Sequence, residues 1–341
     1  MSLKNLNATI KIPKQFKKKL TNLRIKKIYI DFEKNLKIKK KFAVAVSGGP
    51  DSLALAFLSK IYSLNNKIIS KFFIVDHRLR PESTNEAKLV KKVLKKHSIN
   101  AEILTWYGKK PKKNIQSVAR NKRYDLLIKR CKKLKINNII LGHHQDDLFE
   151  NFFIRIFRGS GLKGLISLKK KNRVSNMNFF RPLLYQKKED LVFLSNKIFD
   201  FYVKDPTNTD EKFLRIKIRK LIEEFEKSDI DKKKFISTIK NLKYSNNAIN
   251  FYIKKNLNEN CFFSKKENKI ILNNNFFNQP HEIIFRGFSD SIKIIGKKYY
   301  SVRGKKLDNV INKIINNSSF KGTLGGCIIE KIDHTVIITK E

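Results

Sequence analysis

Cysteine is scarce in this chain: Cys131, Cys261 and Cys327 are the only three, and they lie far apart. No C-x-x-C pair occurs, which excludes a zinc ribbon, an iron–sulfur site and a thioredoxin-like redox motif. An odd, sparse set of thiols suits a reducing compartment, so a cytoplasmic location is expected. No stretch approaches the ~18 apolar residues of a membrane span. Lys4, Lys11 and Lys14 are not followed by an apolar segment, so no signal peptide is expected. The Walker pattern G-x-x-x-x-G-K-S/T is missing as well, and with it the P-loop way of holding a nucleotide. Acidic residues are few, 30 Asp+Glu against 75 Lys+Arg, for a formal net charge of +45. Such an imbalance repels itself without a polyanionic partner and is the electrostatic footprint of nucleic-acid binding. Lysine, asparagine and isoleucine share AT-rich codons, so the charge supports that class of partner without naming one. The basic N-terminal arm, with Lys17 to Lys19 and Lys26 to Lys27, reads as a solvated helix or loop.

At 341 residues the chain has room for two or three domains. From about residue 41 to 141 strands alternate with helices. Strands are expected at 42–46, 72–75, 101–106 and 138–141. Helices are expected at 51–64, from the capping box Ser83-Thr84-Asn85-Glu86 toward His97, and at 115–134. That order implies a doubly wound parallel sheet of the α/β class, whose ligands sit at the carboxyl ends of the strands. Asp205-Pro206-Thr207-Asn208 is turn chemistry and marks a boundary. Helical patterns follow at 213–226 and 232–254, then strand signals at 269–272, 327–330 and 336–339. The expected organisation is an N-terminal domain over 1–210, a helical region over 211–260 and a small α+β region over 261–341.

The densest signal is Ser47-Gly48-Gly49-Pro50-Asp51-Ser52. A strand ends in a glycine turn that opens a helix, which is where a phosphate is held. The glycines admit close backbone approach, and Ser47 and Ser52 add hydroxyls. Asp51, standing where a Walker loop has its lysine, suggests a metal ligand or a base. The form resembles the pyrophosphatase-type loop of ATP-dependent adenylating enzymes. The second cluster is Gly142-His143-His144-Gln145-Asp146-Asp147-Leu148-Phe149-Glu150, which closes a strand and opens a helix. Its three- and four-residue spacings bring carboxylates onto a common face, and carboxylates suit Mg²⁺ shared with substrate phosphates. Asp76-His77 closes the second strand, where a base or ribose lies in this topology. Arg120 and Arg123 share one face of the third helix and suit phosphate. Gly159 to Gly164 spells G-x-G-x-x-G, but it follows a helix and is rejected as a dinucleotide fingerprint; a mobile loop near the site is expected there.

In that order, and with Arg158-Gly159-Ser160-Gly161, Arg181-Pro182-Leu183-Leu184 and the turn at 205–208, these segments resemble the tRNA(Ile)-lysidine synthase family. The likeness covers about residues 40 to 220, and Thr323-Leu324-Gly325-Gly326-Cys327 is similar to the tails of alphaproteobacterial members. Asn151, where members often carry Thr, and Ile216 and Lys217, in a stretch that tends to Arg-Asn-Arg-Ile-Arg, depart from the pattern. The resemblance implies an adenine-nucleotide α-hydrolase-like fold with ATP and Mg²⁺ as cofactors. It also implies a CAU-anticodon isoleucine tRNA and L-lysine as substrates. ATP would adenylate the wobble cytidine at its C2 carbonyl oxygen, and the lysine ε-amine would displace AMP to give lysidine. Carried onto this sequence, Ser47, Gly48, Gly49, Pro50, Asp51, Ser52, Asp76 and His77 would bind the nucleotide. Asp51, Arg120, Asp146, Asp147 and Glu150 would act in catalysis, with Asp51 and Asp147 as metal ligands. The oligomeric state stays open, a homodimer included. The competing readings are a tRNA thiolating enzyme, disfavoured by the absence of paired cysteines, and a non-catalytic basic RNA-binding protein, disfavoured by the intact acidic positions.

Overall fold

A computed structural model describes residues 14–109, 111, 115–174, 176–203, 214–228, 232–297, 302 and 304–341. The chain divides into two compact units, Met1–Asp231 and Lys232–Glu341. The first unit begins with the helices Lys14–Leu20 (α1) and Leu23–Asn35 (α2), followed by Phe42–Val46 (β1), Pro50–Asn65 (α3), Ser70–Asp76 (β2) and Ser83–Lys96 (α4). Ala101–Thr105 (β3), Ile115–Lys133 (α5), Asn138–Ile140 (β4), Gln145–Ile156 (α6) and the short Leu162–Leu165 (α7) come next. Lys171–Val174 (β5), Met177–Phe180 (β6), Lys188–Phe199 (α8) and Leu214–Lys227 (α9) complete it.

The six strands lie in the order β3-β2-β1-β4-β6-β5. The first five of these run parallel, and β5 returns antiparallel to β6 at the edge. The doubly wound sheet expected from the sequence is therefore present, with a hairpin edge added. Chain order reverses between β1 and β4, so their carboxyl ends flank the switch-point crevice where such sheets take ligands. The Ser47–Ser52 loop leaves β1 there, and the histidine–aspartate segment leaves β4 beside it.

Helix α3 has no polar face: every residue from Leu53 to Leu58 has zero exposure. A helix apolar all round must be covered on both sides. One side rests on the sheet and the other takes α2 and α8. Burying Phe57 alone contributes about 2 kcal/mol, and its ring meets Phe16 edge-on at 5.4 Å. The basic N-terminal arm is thus more than a solvated segment. Ile25, Ile28, Tyr29 and Phe32 of α2 recur at helical spacing and are buried, leaving the lysines to solvent. On the opposite sheet face α5 packs Leu127 and Cys131 against Ala43, Phe73, Ile139 and Phe179.

The second unit contains Lys232–Asn260 (α10), Cys261–Ser264 (β7), Lys269–Leu272 (β8), Asn274–Phe277 (α11), His281–Gly296 (α12), Gly304–Asn316 (α13), Phe320–Thr323 (β9), Cys327–Ile332 (β10) and Thr335–Lys340 (β11). Its five strands form an antiparallel sheet in the order β7-β8-β11-β10-β9. Phe276, Phe288, Ile292, Ile311 and Ile329 centre its core. The pair Gly325-Gly326 turns β9 into β10 with φ of +68° and +81°, the conformation a two-residue primed hairpin requires. Junctions are expected near 210 and 260, and the two compact units meet in sequence between them, at Asp231 and Lys232. Helix α9 bonds to α6 in the first unit, and α10 runs unbroken to Asn260 in the second. The turn expected at 205–208 lies outside the described residues. Among those described, no helix is long and apolar enough to cross a membrane.

Candidate active site

The phosphate-type loop is held shut by one side chain. Ser52 Oγ accepts hydrogen bonds from the amides of Ser47 and Gly48, both at 3.1 Å, and donates to the carbonyl of Gly49 at 2.9 Å. The Ser52 hydroxyl and the Gly48 amide, expected to face a phosphate, are thus engaged within the loop, and their part is to shape it. Gly48 has φ +92°, and a Cβ there would meet Val90 Cγ2 at 2.6 Å and Val203 Cγ2 at 3.0 Å. Only glycine fits. Helix α3 then opens at Gly49 with Pro50 in its first turn and no side-chain cap. The amides of Gly49 and Asp51 make no intrachain hydrogen bond among the described residues. An uncapped helix start aimed at the crevice is an anion site.

Helix α6 faces this loop. His144 caps it: Nδ1 accepts from the Asp146 amide at 3.3 Å, while the Asp147 carboxylate accepts from the His144 amide at 2.9 Å. The other ring nitrogen, Nε2, lies 3.5 Å from Asp51 Oδ2 and 3.7 Å from Asp147 Oδ2. The imidazole therefore bridges the two clusters and turns Asp51. The second oxygen of Asp51, Oδ1, is buried with no partner. Gly142 permits this approach, because a Cβ on it would sit 3.3 Å from the Asp51 carbonyl.

The first two turns of α6 are locked by arginines. Glu150, 2% exposed, pairs with Arg215 Nε and Arg219 Nε of α9, and Arg215 also pairs with Asp147. Two arginines four apart on α9 thus meet two carboxylates three apart on α6, a fit set by helical spacing on both sides. Both Glu150 oxygens are occupied, so here it serves as an anchor for α9. The sequence alone places His144 in the second cluster without giving it a role, and does not single out Arg215 and Arg219 as site residues. The i, i+4 arginine pair after the turn at 205–208 is the signal that could have found those two.

Charge around the site sets protonation states. Burial pushes His143 down to about 3, although Asp147 pulls the other way. Burial also opposes the charged form of His144, but Asp51, Asp147 and Asp146 outweigh it and raise its pKa. For Asp147, burial favours the acid, yet His143, His144 and Arg215 hold the carboxyl below its usual range.

The end of β2 is built differently from the expectation of a nucleotide contact. Both oxygens of Asp76 are consumed inside the protein, by the Arg78 amide, Ser83 Oγ and Thr84 Oγ1. They tie the hydroxyls of the first turn of α4 to the end of β2 and shape the loop between them. His77 accepts from Arg123 Nε at 3.4 Å, and burial first and then Arg123 push it down to about 4. Arg120 lies over the Tyr124 ring at 5.3 Å and donates to its hydroxyl at 3.3 Å. Buried Arg181 donates to the Lys169 carbonyl and to Asn172 Oδ1. Around the crevice the structure therefore gathers the Ser47–Ser52 loop, His144 and Asp147, with Asp146 and Glu150 on the same helix. Asp76 and His77 close β2, the parallel neighbour of β1, on the same rim of the sheet. Gly159 to Gly164 forms a turn, with Gly159 at φ +61°, leading into α7.

A strand–glycine turn–helix at a parallel-sheet switch point, with acidic residues in place of a Walker lysine, defines a nucleotide-binding domain of the PP-loop class, and residues 15–225 match the family model of the PP-loop domain. Over a longer stretch the chain is 32% identical to the tRNA(Ile)-lysidine synthase of Wolbachia pipientis wMel, across 302 residues that cover 88% of this chain and 70% of the relative. It is likewise 32% identical to that of Orientia tsutsugamushi over 324 residues, 91% of this chain and 71% of the relative. The chain belongs to the tRNA(Ile)-lysidine synthase family. Among solved structures, the U34-tRNA thiolase NcsA from Methanococcus maripaludis superposes with a TM-score of 0.54 at 19% identity, covering 65% of this chain and 78% of that one. That likeness is one of fold.

Proposed function

We propose that this enzyme uses ATP to adenylate the C2 carbonyl oxygen of the wobble cytidine in a CAU-anticodon isoleucine tRNA, and then joins L-lysine to C2. The observation that carries the reading is the uncapped start of α3, with its two available amides, beside the unpartnered Asp51 oxygen. Family membership supplies the substrates, and the site supplies reasons why they suit it. In the first step the cytidine oxygen attacks the α-phosphorus and pyrophosphate leaves. That oxygen is a weak nucleophile, so charge on the triphosphate must be neutralised as it develops. The helix start and Arg120 serve that purpose.

Mg²⁺ suits the buried, unpartnered Asp51 Oδ1, a hard oxygen donor. Asp147 fits less directly, because its oxygens already serve Arg215 and the His144 amide. Among the described residues no group of three or more His, Cys, Asp or Glu side chains is gathered as a metal cluster. Asp51 would therefore hold the ion together with phosphate oxygens, and the ion would supply charge neutralisation on the leaving pyrophosphate.

In the second step the lysine ε-nitrogen forms a bond to C2, the C2–O bond breaks, and AMP leaves. The amine, with a reference pKa of about 10.4, must first lose a proton. We assign Asp146, in the first turn of α6, to hold the ammonium and take its proton, since the oxygens of Asp147 already serve Arg215 and the His144 amide. Sulfur transfer lacks a comparable basis. Cys131 is buried and burial pushes its thiol up to about 12, and Cys261 and Cys327 belong to the other unit. The test is nucleoside mass spectrometry of the tRNA incubated with protein, ATP, Mg²⁺ and L-lysine. A cytidine heavier by lysine less water, formed only with ATP and absent from elongator methionine tRNA, is expected. Unmodified cytidine in a reaction that still releases AMP would overturn the reading.

A further inference from the structure

Helix α10 buries one face and leaves another bare. Ile239, Asn246 and Ile253, seven apart, are buried, and Asn246 accepts a hydrogen bond from the buried Arg286 of α12 at 2.7 Å. Lys240, Tyr244, Phe251 and Lys255, spaced by four, seven and four, fall on the side turned away from them. All four are exposed, Tyr244 at 70% and Phe251 at 64%. A phenylalanine held in water on a regular helix gains nothing for the fold, since it forgoes about 2 kcal/mol of burial. The neighbourhood is also of one sign. The 29 residues of α10 hold seven lysines and one acid, Glu259, which lies 4.0 Å from Lys255 at the end of the stripe.

We propose that this stripe is a stacking surface for unpaired nucleotides of the RNA substrate, with bases on Tyr244 and Phe251 and phosphates on Lys240 and Lys255. The proposal rests on the reading of the substrate as RNA and adds the place where a single-stranded segment is held. Rings flanked by cations match a strand that offers π faces and phosphates together. The two rings are about 10 Å apart along the helix, on the order of three nucleotide steps, so each takes a separate base. A protein partner would call for a broad apolar patch, whereas Asn247 and Ala248 lie between the two rings on this side, and the further exposed ring of α10, Tyr252, sits 5.5 Å from Phe251 and extends the stacking surface.

The test uses the full chain and two probes, a transcript of the CAU-anticodon isoleucine tRNA and an unstructured oligouridine. Tyr244→Ala with Phe251→Ala is expected to weaken binding on the order of tenfold per ring, with an unchanged dependence on salt. Lys240→Gln with Lys255→Gln is expected to lower the salt slope by about 1.4, about 0.7 per phosphate contact on a single strand. Phe251→Trp adds an indole whose emission oligouridine should quench beyond any change at Trp106, a readout that needs no destabilising substitution. Unchanged affinity of the alanine pair overturns the proposal. So does full affinity in Tyr244→Leu with Phe251→Leu, which keeps apolar area without a π face. Ring-dependent binding to phosphatidylserine vesicles, alongside ring-independent tRNA binding, would assign the stripe to a membrane and overturn it too. If no lysidine forms while RNA affinity still depends on the rings, the enzymatic reading fails and the stripe stands. If lysidine forms and affinity is independent of the rings, the enzymatic reading stands and the stripe fails.

Discussion

Acidification from pH 7 to pH 5 is expected to destabilise the first unit through His77 and His143. Their folded pKa values are about 4 and about 3, against an ordinary 6.5. At pH 5 an unfolded chain protonates both rings and the folded one protonates neither. A group whose folded pKa is depressed contributes stability above its unfolded pKa and loses it as pH falls toward the folded value, so the window runs from about 6.5 down to 4 and 3. One and a half pH units at 1.36 kcal/mol each come to about 2 kcal/mol per ring, or about 4 kcal/mol for the pair. His144 acts in the opposite sense. Its folded pKa is raised, so its contribution is fully present below about 6.5 and fades as pH rises through the raised value, which trims the loss in acid. Against a typical domain stability of about 5–15 kcal/mol this is a large fraction. Urea midpoints at pH 7, 6 and 5 measure it, and ring resonances of the histidines report protonation directly. His143→Gln should flatten the pH dependence by about 2 kcal/mol over this interval. A His143 ring titrating near 6.5 in the folded protein, or equal losses in wild type and variant, would refute the reasoning.

Three substitutions probe the site itself. Gly48→Ala places a side chain at φ +92° against Val90 and Val203, and should cost on the order of 1–3 kcal/mol together with ATP binding; an unchanged melting temperature and ATP affinity would contradict the steric account. Glu150→Gln keeps the shape but leaves Arg215 and Arg219 without their anchor, for about 2 kcal/mol once the partial exposure of the arginines (38% and 31%) is allowed for. A double-mutant cycle with Arg215→Gln showing no coupling would refute that anchor. Asp51→Ala should abolish AMP release while tRNA affinity holds, and surviving turnover would remove Asp51 from the proposed chemistry.

Much of the first unit was legible because its strands are short apolar runs closed by turn chemistry. Phe42–Val46 and Ala101–Thr105 lie where periodicity puts them, to within a residue. The β5–β6 edge hairpin was not, since Lys171–Val174 is polar and half-exposed and has no alternation to read. The N-terminal arm misled because its lysines dominate composition, while the buried positions of α2 show only in their spacing. Within the site, residue types were visible but partners were not. Nothing in the sequence distinguishes a serine that faces a phosphate from one that closes its own loop, as Ser52 does, or an aspartate that meets a ribose from one that braces a loop, as Asp76 does. Those assignments depend on which backbone amides lie within about 3 Å, a consequence of the tertiary fold. The pairing of Glu150 with Arg215 and Arg219 joins residues more than sixty positions apart, a long-range relation that one sequence does not display.

The two halves of the crevice differ in what would have to be broken to move them. The loop that ends β1 is continuous with α3, the most deeply embedded helix of the unit, so its phosphate-facing amides shift only if the core itself yields. The α9 side is fastened both by ionic contacts, which competing charges or rising ionic strength weaken, and by apolar packing, with Ile216, Ile218 and Ile222 buried and Phe225 5.9 Å from Phe153 of α6. In the proposed second step, an ammonium entering among the α6 carboxylates would compete with the guanidinium groups of Arg215 and Arg219. Salt is therefore expected to loosen the wall that carries Arg215 and Arg219 before the wall formed by the β1–α3 loop.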